Sequence, residues 1–174
     1  MPNGNKPRLG CSACLLGERV RYDGELKPSA WVQRVAPRLF ELVPLCPEVG
    51  MGLGVPRPSI HLVDGGDGVR LLREHDGLEL TAALQRWLAS VWSELGSVHG
   101  FVLKARSPSC GLGTTPIVDA AGVELRRGDG LLAEALRGSF PGLPLIDEEG
   151  VRVEARRRAF VRAVRRRAKM GTAG

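Results

Sequence analysis

The sequence predicts an α/β protein built on a single doubly wound, mainly parallel β-sheet, with helices on both faces and a basic C-terminal helix. Three observations predict this fold. Short β-prone apolar runs alternate along the chain with amphipathic runs, which is the pattern of strand–helix–strand units. Most of the apolar runs end in loops rich in Gly, Pro or Ser. The length of 174 residues, 43% of them hydrophobic, suits one domain with a complete core.

The predicted strands are short and are bounded by turn-forming residues. Residues 59–63 and 69–72 flank Asp64-Gly65-Gly66-Asp67-Gly68, so we expect them to form a hairpin. Residues 49–58 hold three Gly and two Pro, which indicates a loop. In chain order the predicted strands cover residues 7–12, 41–46, 59–63, 69–72, 100–105 and 143–146.

Helices are predicted between these strands. The clearest begins at its cap, Thr81, and ends at Gly96. Apolar residues recur along it at helical spacing and define one buried face: Leu84, Trp87, Leu88, Val91, Trp92 and Leu95. Ser29 is expected to cap an earlier helix, and later helices cover residues 131–136 and begin near Val151. The alternation of strands and helices favours a Rossmann-like topology.

Charge is distributed unevenly along the chain. The sequence has 25 Lys and Arg against 19 Asp and Glu, a net charge of +6. Residues 151–174 hold nine of the basic residues and one acid, so this segment is +8 and residues 1–150 are −2. We expect one domain over residues 1–174, with a flexible N-terminus at residues 1–6 and a basic helix at 151–174.

The basic segment allows two interpretations. Clustered Arg and Lys are typical of nucleic-acid contacts, so binding of tRNA or another nucleic acid is one of them. However, Phe160, Val161, Val164 and Ala168 form an apolar stripe. The stripe favours an amphipathic helix packed on the sheet with its Arg side chains facing water, and we prefer this second interpretation.

Two further features of the sequence, its short apolar runs and its cysteines, indicate the cellular location and the kind of chemistry to expect. The longest apolar runs have only a few residues, which excludes a transmembrane helix. Residues 1–6 contain no apolar stretch, so no secretory signal is expected and we predict a cytoplasmic protein. Cysteines in a reducing compartment seldom form structural disulfides, which favours metal or redox chemistry for the four in this chain.

Cys14, Cys46 and Cys110 each follow a predicted strand. In an open parallel sheet the loops after the strands lie along one edge, so these three side chains can converge there. Thiolates are soft ligands and no nearby His completes a mixed site, so an iron–sulfur cluster suits them better than catalytic zinc. The alternative is that they are small buried hydrophobic side chains.

Cys11 requires a separate interpretation. It forms a C-x-x-C pair with Cys14, which is also the pattern of a thioredoxin-like dithiol. A redox dithiol usually opens a helix, whereas Leu15-Leu16-Gly17 follows here. We therefore favour a packed thiol behind the site.

Five motifs in a fixed order carry a family resemblance. They are Ser12-Ala13-Cys14-Leu15-Leu16-Gly17, Arg21-Tyr22-Asp23-Gly24, Pro44-Leu45-Cys46-Pro47-Glu48-Val49-Gly50, Pro56-Arg57-Pro58 and Lys104-Ala105-Arg106-Ser107-Pro108-Ser109-Cys110-Gly111. Through them the chain resembles the DUF523 family, which includes the thiouracil desulfidases, over roughly residues 7–150. The resemblance implies an enzyme that converts thiolated pyrimidines, such as thiouracil and 4-thiouridine monophosphate, to the oxo form with release of sulfide. No net redox change is implied.

The resemblance also implies a cofactor. It is an oxygen-sensitive 4Fe–4S cluster held by Cys14, Cys46 and Cys110, with one iron left open for the substrate sulfur. Most relatives place an aliphatic residue at the position of Cys11. Cys11 is therefore a departure from the family pattern and an additional candidate ligand.

Polar residues of the same motifs are candidates for catalysis and substrate binding. Glu48 is predicted to be the general acid/base, and its alternative role is a carboxylate that stabilises a helix start. Ser107 and Ser109 are predicted to orient water or ring groups, or else to hydrogen-bond the loop backbone. The candidates for substrate binding, each of which can equally be a surface charge, are Arg21, Asp23, Arg57 and Lys104.

Two alternative functions remain open. A thiolated-tRNA desulfidase would use the same chemistry with the basic segment as an RNA contact. A cluster-bearing nucleic-acid binding module would keep the cysteines as structural ligands and have no activity. The expected ligand of the leading hypothesis is a small thiopyrimidine base, nucleoside or nucleotide, with no membrane partner. His61, His75 and His99 lack ligand spacing and are expected to be structural or exposed.

Overall fold

The computed structural model describes residues 6–171. The strands are β1 (Arg8–Ser12), β2 (Glu41–Leu45), β3 (Ile60–Asp64), β4 (Val69–Arg73), β5 (Phe101–Leu103), β6 (Thr115–Val118), β7 (Glu124–Gly128) and β8 (Leu145–Asp147). The helices are α1 (Ala30–Arg34), α2 (Ala36–Leu39), α3 (Pro47–Gly50), α4 (Thr81–Ser90), α5 (Trp92–Gly96), α6 (Leu131–Ser139) and α7 (Glu154–Gly171). Short 3₁₀ turns cover Ala13–Leu16 and Gly150–Arg152. The expectations for residues 1–5 and 172–174 lie outside the described residues.

Four strands form a sheet that we call the parallel sheet. Its order is β2-β1-β5-β8, and every neighbouring pair is parallel. The order reverses at β1, because the next strand in the chain, β2, lies on one side of it and the later β5 and β8 lie on the other. Such a reversal opens a crevice at the carboxyl ends of the central strands.

The other four strands form a second sheet, the mixed sheet, in the order β4-β3-β6-β7. Here β3 and β6 are parallel, whereas β4 and β7 pair antiparallel at the edges. The α/β class and the 59–72 hairpin are confirmed. The prediction of a single sheet is corrected to two, because strand order along the chain does not determine which strands exchange hydrogen bonds.

Helices cover both faces of the parallel sheet. On one face α1, α2 and α7 pack against a buried cluster that includes Leu9 and Val102. On the other face α4, α6 and the mixed sheet pack against Phe101 and Leu103. The helix α7 is attached through Phe160 and Val164, whose burial stabilises this contact by about 1.5–3 kcal/mol each. None of the helices described within residues 6–171 has the length and apolarity needed to cross a bilayer.

Several element boundaries differ from the sequence expectations. The strand β2 ends at Leu45, one residue before the predicted end at Cys46. The helix α3 follows, and its last two residues overlap the predicted loop 49–58. The predicted helix from Thr81 to Gly96 is divided at Val91 into α4 and α5. Thr81 does not cap α4, because its hydroxyl accepts a hydrogen bond from the Leu71 N–H at 2.9 Å. The strands β6 and β7 were not expected. Four of the five β7 residues are exposed, so β7 has no apolar run that would predict a strand.

Candidate functional site

A cavity of about 230 Å³ lies at the carboxyl edge of the parallel sheet. The segments that follow β1, β2 and β5 each contribute one cysteine to its wall, namely Cys14, Cys46 and Cys110. The structure therefore brings together three residues that are widely separated in the sequence. They meet where the strand order reverses, which is the place where ligands bind in open α/β sheets.

Cys14 is held by the 3₁₀ turn that directly follows β1. Gly17 closes this turn in the left-handed region, with φ +91°, and donates its N–H to the Ala13 and Cys14 carbonyls. A side chain at residue 17 would strain that conformation. Burial raises the pKa of the Cys14 thiol to about 11, and the nearby positive charge of Lys104 partly opposes this effect.

Cys46 lies at the N-terminal end of the short helix α3. The N–H groups of Val49 and Glu48 hydrogen-bond to its sulfur, and the thiol also donates to the Val20 carbonyl at 3.9 Å. Burial raises the pKa of this thiol, while the two N–H groups act in the opposite direction. The sulfur is thus oriented by backbone groups on two different segments.

Cys110 is carried by the loop that follows β5. The Ser107 hydroxyl accepts hydrogen bonds from the N–H groups of Ser109 and Cys110, at 3.2 and 3.1 Å. Ser107 thereby fixes the loop backbone, one of the two roles expected for it, and it also lines the cavity. The Cys110 thiol is hydrogen-bonded with Ser12, and its burial raises its pKa.

Gly130, at the start of α6, supports the same loop from the side of the mixed sheet. A Cβ atom at residue 130 would lie 2.6 Å from the Ser109 carbonyl carbon and 2.7 Å from the Cys110 nitrogen. The Gly130 N–H also donates to the Gly111 carbonyl at 2.7 Å. Sequence reasoning missed this contact, which only a residue without a side chain permits.

Glu48 lines the cavity and is held from two sides. Its Oε2 accepts hydrogen bonds from Nε and Nη2 of Arg57, at 2.9 and 2.6 Å. Its Oε1 accepts a hydrogen bond from the Ser109 hydroxyl at 3.4 Å. The Arg57 side chain is only 5% exposed, and it also donates to the Val20 and Gly54 carbonyls. Every guanidinium nitrogen of Arg57 is used by the protein, so Arg57 positions Glu48 instead of offering a free cation to a ligand.

Two further cations line the mouth of the cavity. Arg21 is paired with Asp23 at 2.7 Å and lies over the Tyr22 ring. Asp23 itself is not part of the wall, and it accepts the Glu25 N–H in a local turn. Lys27 is an exposed lining residue that sequence reasoning missed because it lies outside the motifs; among residues 6–171 it has no ion-pair or hydrogen-bond partner.

Lys104 also lines the cavity, and it forms an ion pair with Glu148. Glu148 is buried, with 8% of its surface exposed, and it was not among the expected site residues. The only sequence signal for it is the acidic run Asp147-Glu148-Glu149 directly after the last predicted strand.

Cys11 lies on the other face of the parallel sheet. It is completely buried in the cluster that packs against α1 and α7, together with Leu9, two residues away. Alternate residues of a strand face opposite sides, so Ser12 reaches the cavity and Cys11 does not. Burial raises the pKa of the Cys11 thiol to about 12.

The donor set limits the kind of metal group that fits. Among the described residues, no group of three or more His, Cys, Asp and Glu side chains is arranged to hold a single metal ion. An iron–sulfur cluster has different requirements, because each thiolate binds its own iron and the ligands stand further apart. Three soft thiol donors from three separate loops, around one cavity, fit such a cluster.

The strand order, the crevice and the three thiols indicate the general class of this protein. This is an α/β protein with a thiol-lined cavity at the switch point of a parallel sheet, where ligands bind in proteins of this class. The 2-thiouracil desulfurase family model matches residues 9–148, and the chain belongs to this family. The resemblance to the DUF523 family is thereby confirmed.

A solved structure supports the assignment. The structure of a 4Fe–4S-dependent thiouracil desulfidase, TudS, is similar to this chain, with a TM-score of 0.68 and 32% sequence identity. The match covers 88% of this chain and 99% of that chain. A search of curated proteins found no match.

Proposed function

We propose that this protein is a 4Fe–4S-dependent desulfidase that converts thiolated pyrimidines to their oxo form and releases sulfide without net redox change. The observation that carries the proposal is the convergence of Cys14, Cys46 and Cys110 on one cavity that also presents Glu48. Membership of the 2-thiouracil desulfurase family and the similarity to a 4Fe–4S-dependent thiouracil desulfidase support it.

The three cavity cysteines are the proposed cluster ligands. Cys11 is left out, because it is completely buried and does not line the cavity. When bound, a cluster with three protein thiolates supplies one iron with an open position, a Lewis acid with affinity for the substrate sulfur.

Glu48 is the proposed general base. Two hydrogen bonds from the Arg57 guanidinium hold Oε2 of Glu48, so the carboxyl group is fixed at the cavity wall. In this role Glu48 takes a proton from the water that adds to the thiocarbonyl carbon, and returns it as sulfide leaves. Ser109 and Arg57 position the carboxylate through the contacts described above.

Ser107 has a proton available for a ligand. Its hydroxyl oxygen accepts two loop N–H groups, and a hydroxyl that acts as an acceptor still has its own O–H to donate. Because Ser107 lines the cavity, we assign this donor to the attacking water or to a ring acceptor of the substrate.

The cations at the mouth of the cavity favour a substrate with a negative group. Asp23 orients Arg21, and Lys27 is an exposed cation without a partner among the described residues. We assign these two cations to the phosphate of 4-thiouridine monophosphate, and we propose that thiouracil uses the inner part of the cavity. None of the described residues that line the cavity belongs to α7, so no observation on residues 6–171 favours a tRNA desulfidase or a nucleic-acid binding module.

Anaerobic reconstitution followed by sulfide assays tests this function. We expect about four irons per chain and release of sulfide from thiouracil, 4-thiouridine and its monophosphate. Lys27→Ala should raise KM for the monophosphate about tenfold and leave KM for thiouracil unchanged. Protein that binds no iron, or that binds iron but releases no sulfide from any of the three compounds, would contradict the proposal.

A further inference from the structure

Glu148 is a buried carboxylate near the cavity that the mechanism above does not use. It follows β8 directly, and its N–H donates to the Leu103 carbonyl at 3.3 Å. This contact places Glu148 at the end of the neighbouring strand β5. From that point Lys104 and Ala105 lead into the loop that carries Cys110.

Both carboxylate oxygens of Glu148 have partners. Oε1 accepts a hydrogen bond from Lys104 Nζ, and Oε2 accepts the Ala105 N–H at 2.6 Å. Lys104 Nζ also donates to the Ala105 carbonyl at 3.0 Å. Two of the three N–H groups of the ammonium are therefore used by the protein. The third is available for a ligand, since Lys104 lines the cavity.

The same contacts connect Lys104 to the cysteine-bearing segments. The Lys104 N–H donates to the Ser12 hydroxyl at 3.0 Å, and Ser12 is hydrogen-bonded with the Cys110 thiol. The charges of Lys104 and Glu148 both act on Cys14. A continuous polar network thus runs from the end of β8 through β5 to β1.

We propose that Glu148 is a positioning residue that fixes the Lys104 ammonium at the cavity wall, where its remaining N–H stabilises negative charge that develops on the thiopyrimidine ring as water adds. This inference rests on the proposed desulfidase function. Without Glu148 the flexible lysine side chain would extend toward water, and its charge would act on the substrate from a greater distance. Charge that is already in place before the reaction is the most effective kind of electrostatic stabilisation.

Removal of one partner of a buried ion pair also destabilises the fold, so the test needs a variant that removes both. We compare reconstituted Glu148→Gln, Lys104→Met and the double variant Lys104→Met/Glu148→Gln. Each single variant should unfold at a lower temperature, and the double variant should regain much of that loss. The kcat should nevertheless fall about 100-fold in all three, with KM within about threefold of wild type.

Two further measurements complete the test. Glu154→Gln is the matched control, because Glu154 is an exposed carboxylate on α7 paired with Arg158. Its kcat should equal that of wild type. In ¹⁵N-lysine NMR spectra a fixed Lys104 ammonium should give a signal in wild type and in Glu148→Asp, and this signal should disappear in Glu148→Gln.

Three outcomes are decisive. Wild-type kcat in the double variant would show that the pair is only structural and would overturn the proposal. The proposal would also be overturned if kcat of the double variant fell by the product of the two single-variant factors, or if the Lys104 signal persisted in Glu148→Gln. A wild-type holoenzyme that releases no sulfide would instead contradict the desulfidase function, and the NMR comparison would still report whether Glu148 positions Lys104.

Discussion

The two sheets of this protein have equal numbers of strands but different relations to the cavity. The three cavity cysteines follow β1, β2 and β5 of the parallel sheet, and none of the described lining residues follows a strand of the mixed sheet. Parallel strands all end at the same edge, so the segments after them meet there. Antiparallel neighbours end at opposite edges, so their turns are separated. Strand direction therefore decides which sheet can assemble a site from distant residues.

The mixed sheet contributes to the site indirectly. It covers one face of the parallel sheet through the core that contains Leu62 and Ile117. Its last strand, β7, leads into Gly130, whose backbone lies against the Cys110 loop. The parallel sheet thus supplies the side chains of the site, whereas the mixed sheet supports the loop that carries one of them. Substitutions in each sheet test this difference.

The largest effect is expected for Cys46→Ala, at the residue that directly follows β2 of the parallel sheet. Loss of one of three proposed ligands should prevent cluster binding and abolish sulfide release, as measured by iron content and sulfide assay after anaerobic reconstitution. Cys11→Ala is the control. It should retain the iron and lower the free energy of unfolding by about 1 kcal/mol, since it removes a buried group on the other face. The opposite pattern would exchange the roles of the two cysteines.

The next effect is expected for Glu48→Gln. The amide keeps the shape of the side chain but cannot accept a proton, so kcat should fall by about 10²–10⁴ while the iron content stays the same. Glu94→Gln, which changes an exposed carboxylate on α5, should leave kcat unaltered. If Glu48→Gln turned over at the wild-type rate, the carboxylate would have no part in proton transfer.

An intermediate effect is expected where the mixed sheet meets the loop. In Gly130→Ala the new methyl group would overlap the backbone of Ser109 and Cys110, so the loop must move. The free energy of unfolding should fall by about 1–3 kcal/mol, and the bound iron should decrease. Gly138→Ala on the same helix, where a Cβ meets nothing within 4 Å, should be neutral or stabilising in the same denaturation experiment. Equal behaviour of the two variants would remove the supporting role of Gly130.

The smallest effect is expected in a turn of the mixed sheet, for Asp76→Asn. The Arg73 guanidinium holds the pKa of the Asp76 carboxyl well below its ordinary value. A lowered pKa stabilises the fold above the unfolded pKa of about 3.9, and this contribution is lost as the pH falls through the folded value. The variant should therefore unfold at a slightly lower temperature than wild type near pH 7, and at the same temperature in strong acid. Sulfide release should not change.

Much of the site could be predicted from the sequence because each cavity cysteine follows an apolar run and precedes turn-forming residues. The division into two sheets could not, because it depends on pairings such as Leu62 with Ile117, which are 55 positions apart in the chain. The strand β7 was missed for a different reason. It is an exposed edge strand, so burial imposes no apolar pattern on it.

The two site residues that the sequence did not predict were missed for the same reason. Glu148 and Lys27 lie outside the motifs, and only the folded chain places them near the cysteines. The contact of Arg57 with Glu48 was not predicted, because sequence spacing does not show which side chains pair in the folded chain. Residue types and local spacing indicate which groups can react, but the partners that occupy those groups are set by tertiary contacts.

Because side chains alternate between the two faces of β1, the fourth cysteine of the chain lies one position before a residue that lines the cavity. Cys11 and Ser12 are neighbours on opposite faces, and the oxygen, not the sulfur, faces Cys110. Ser12→Cys would therefore place a fourth thiol in the cavity wall, beside Cys110. The number of thiols that face the cavity thus depends on which residues of β1 occupy alternate positions along the strand.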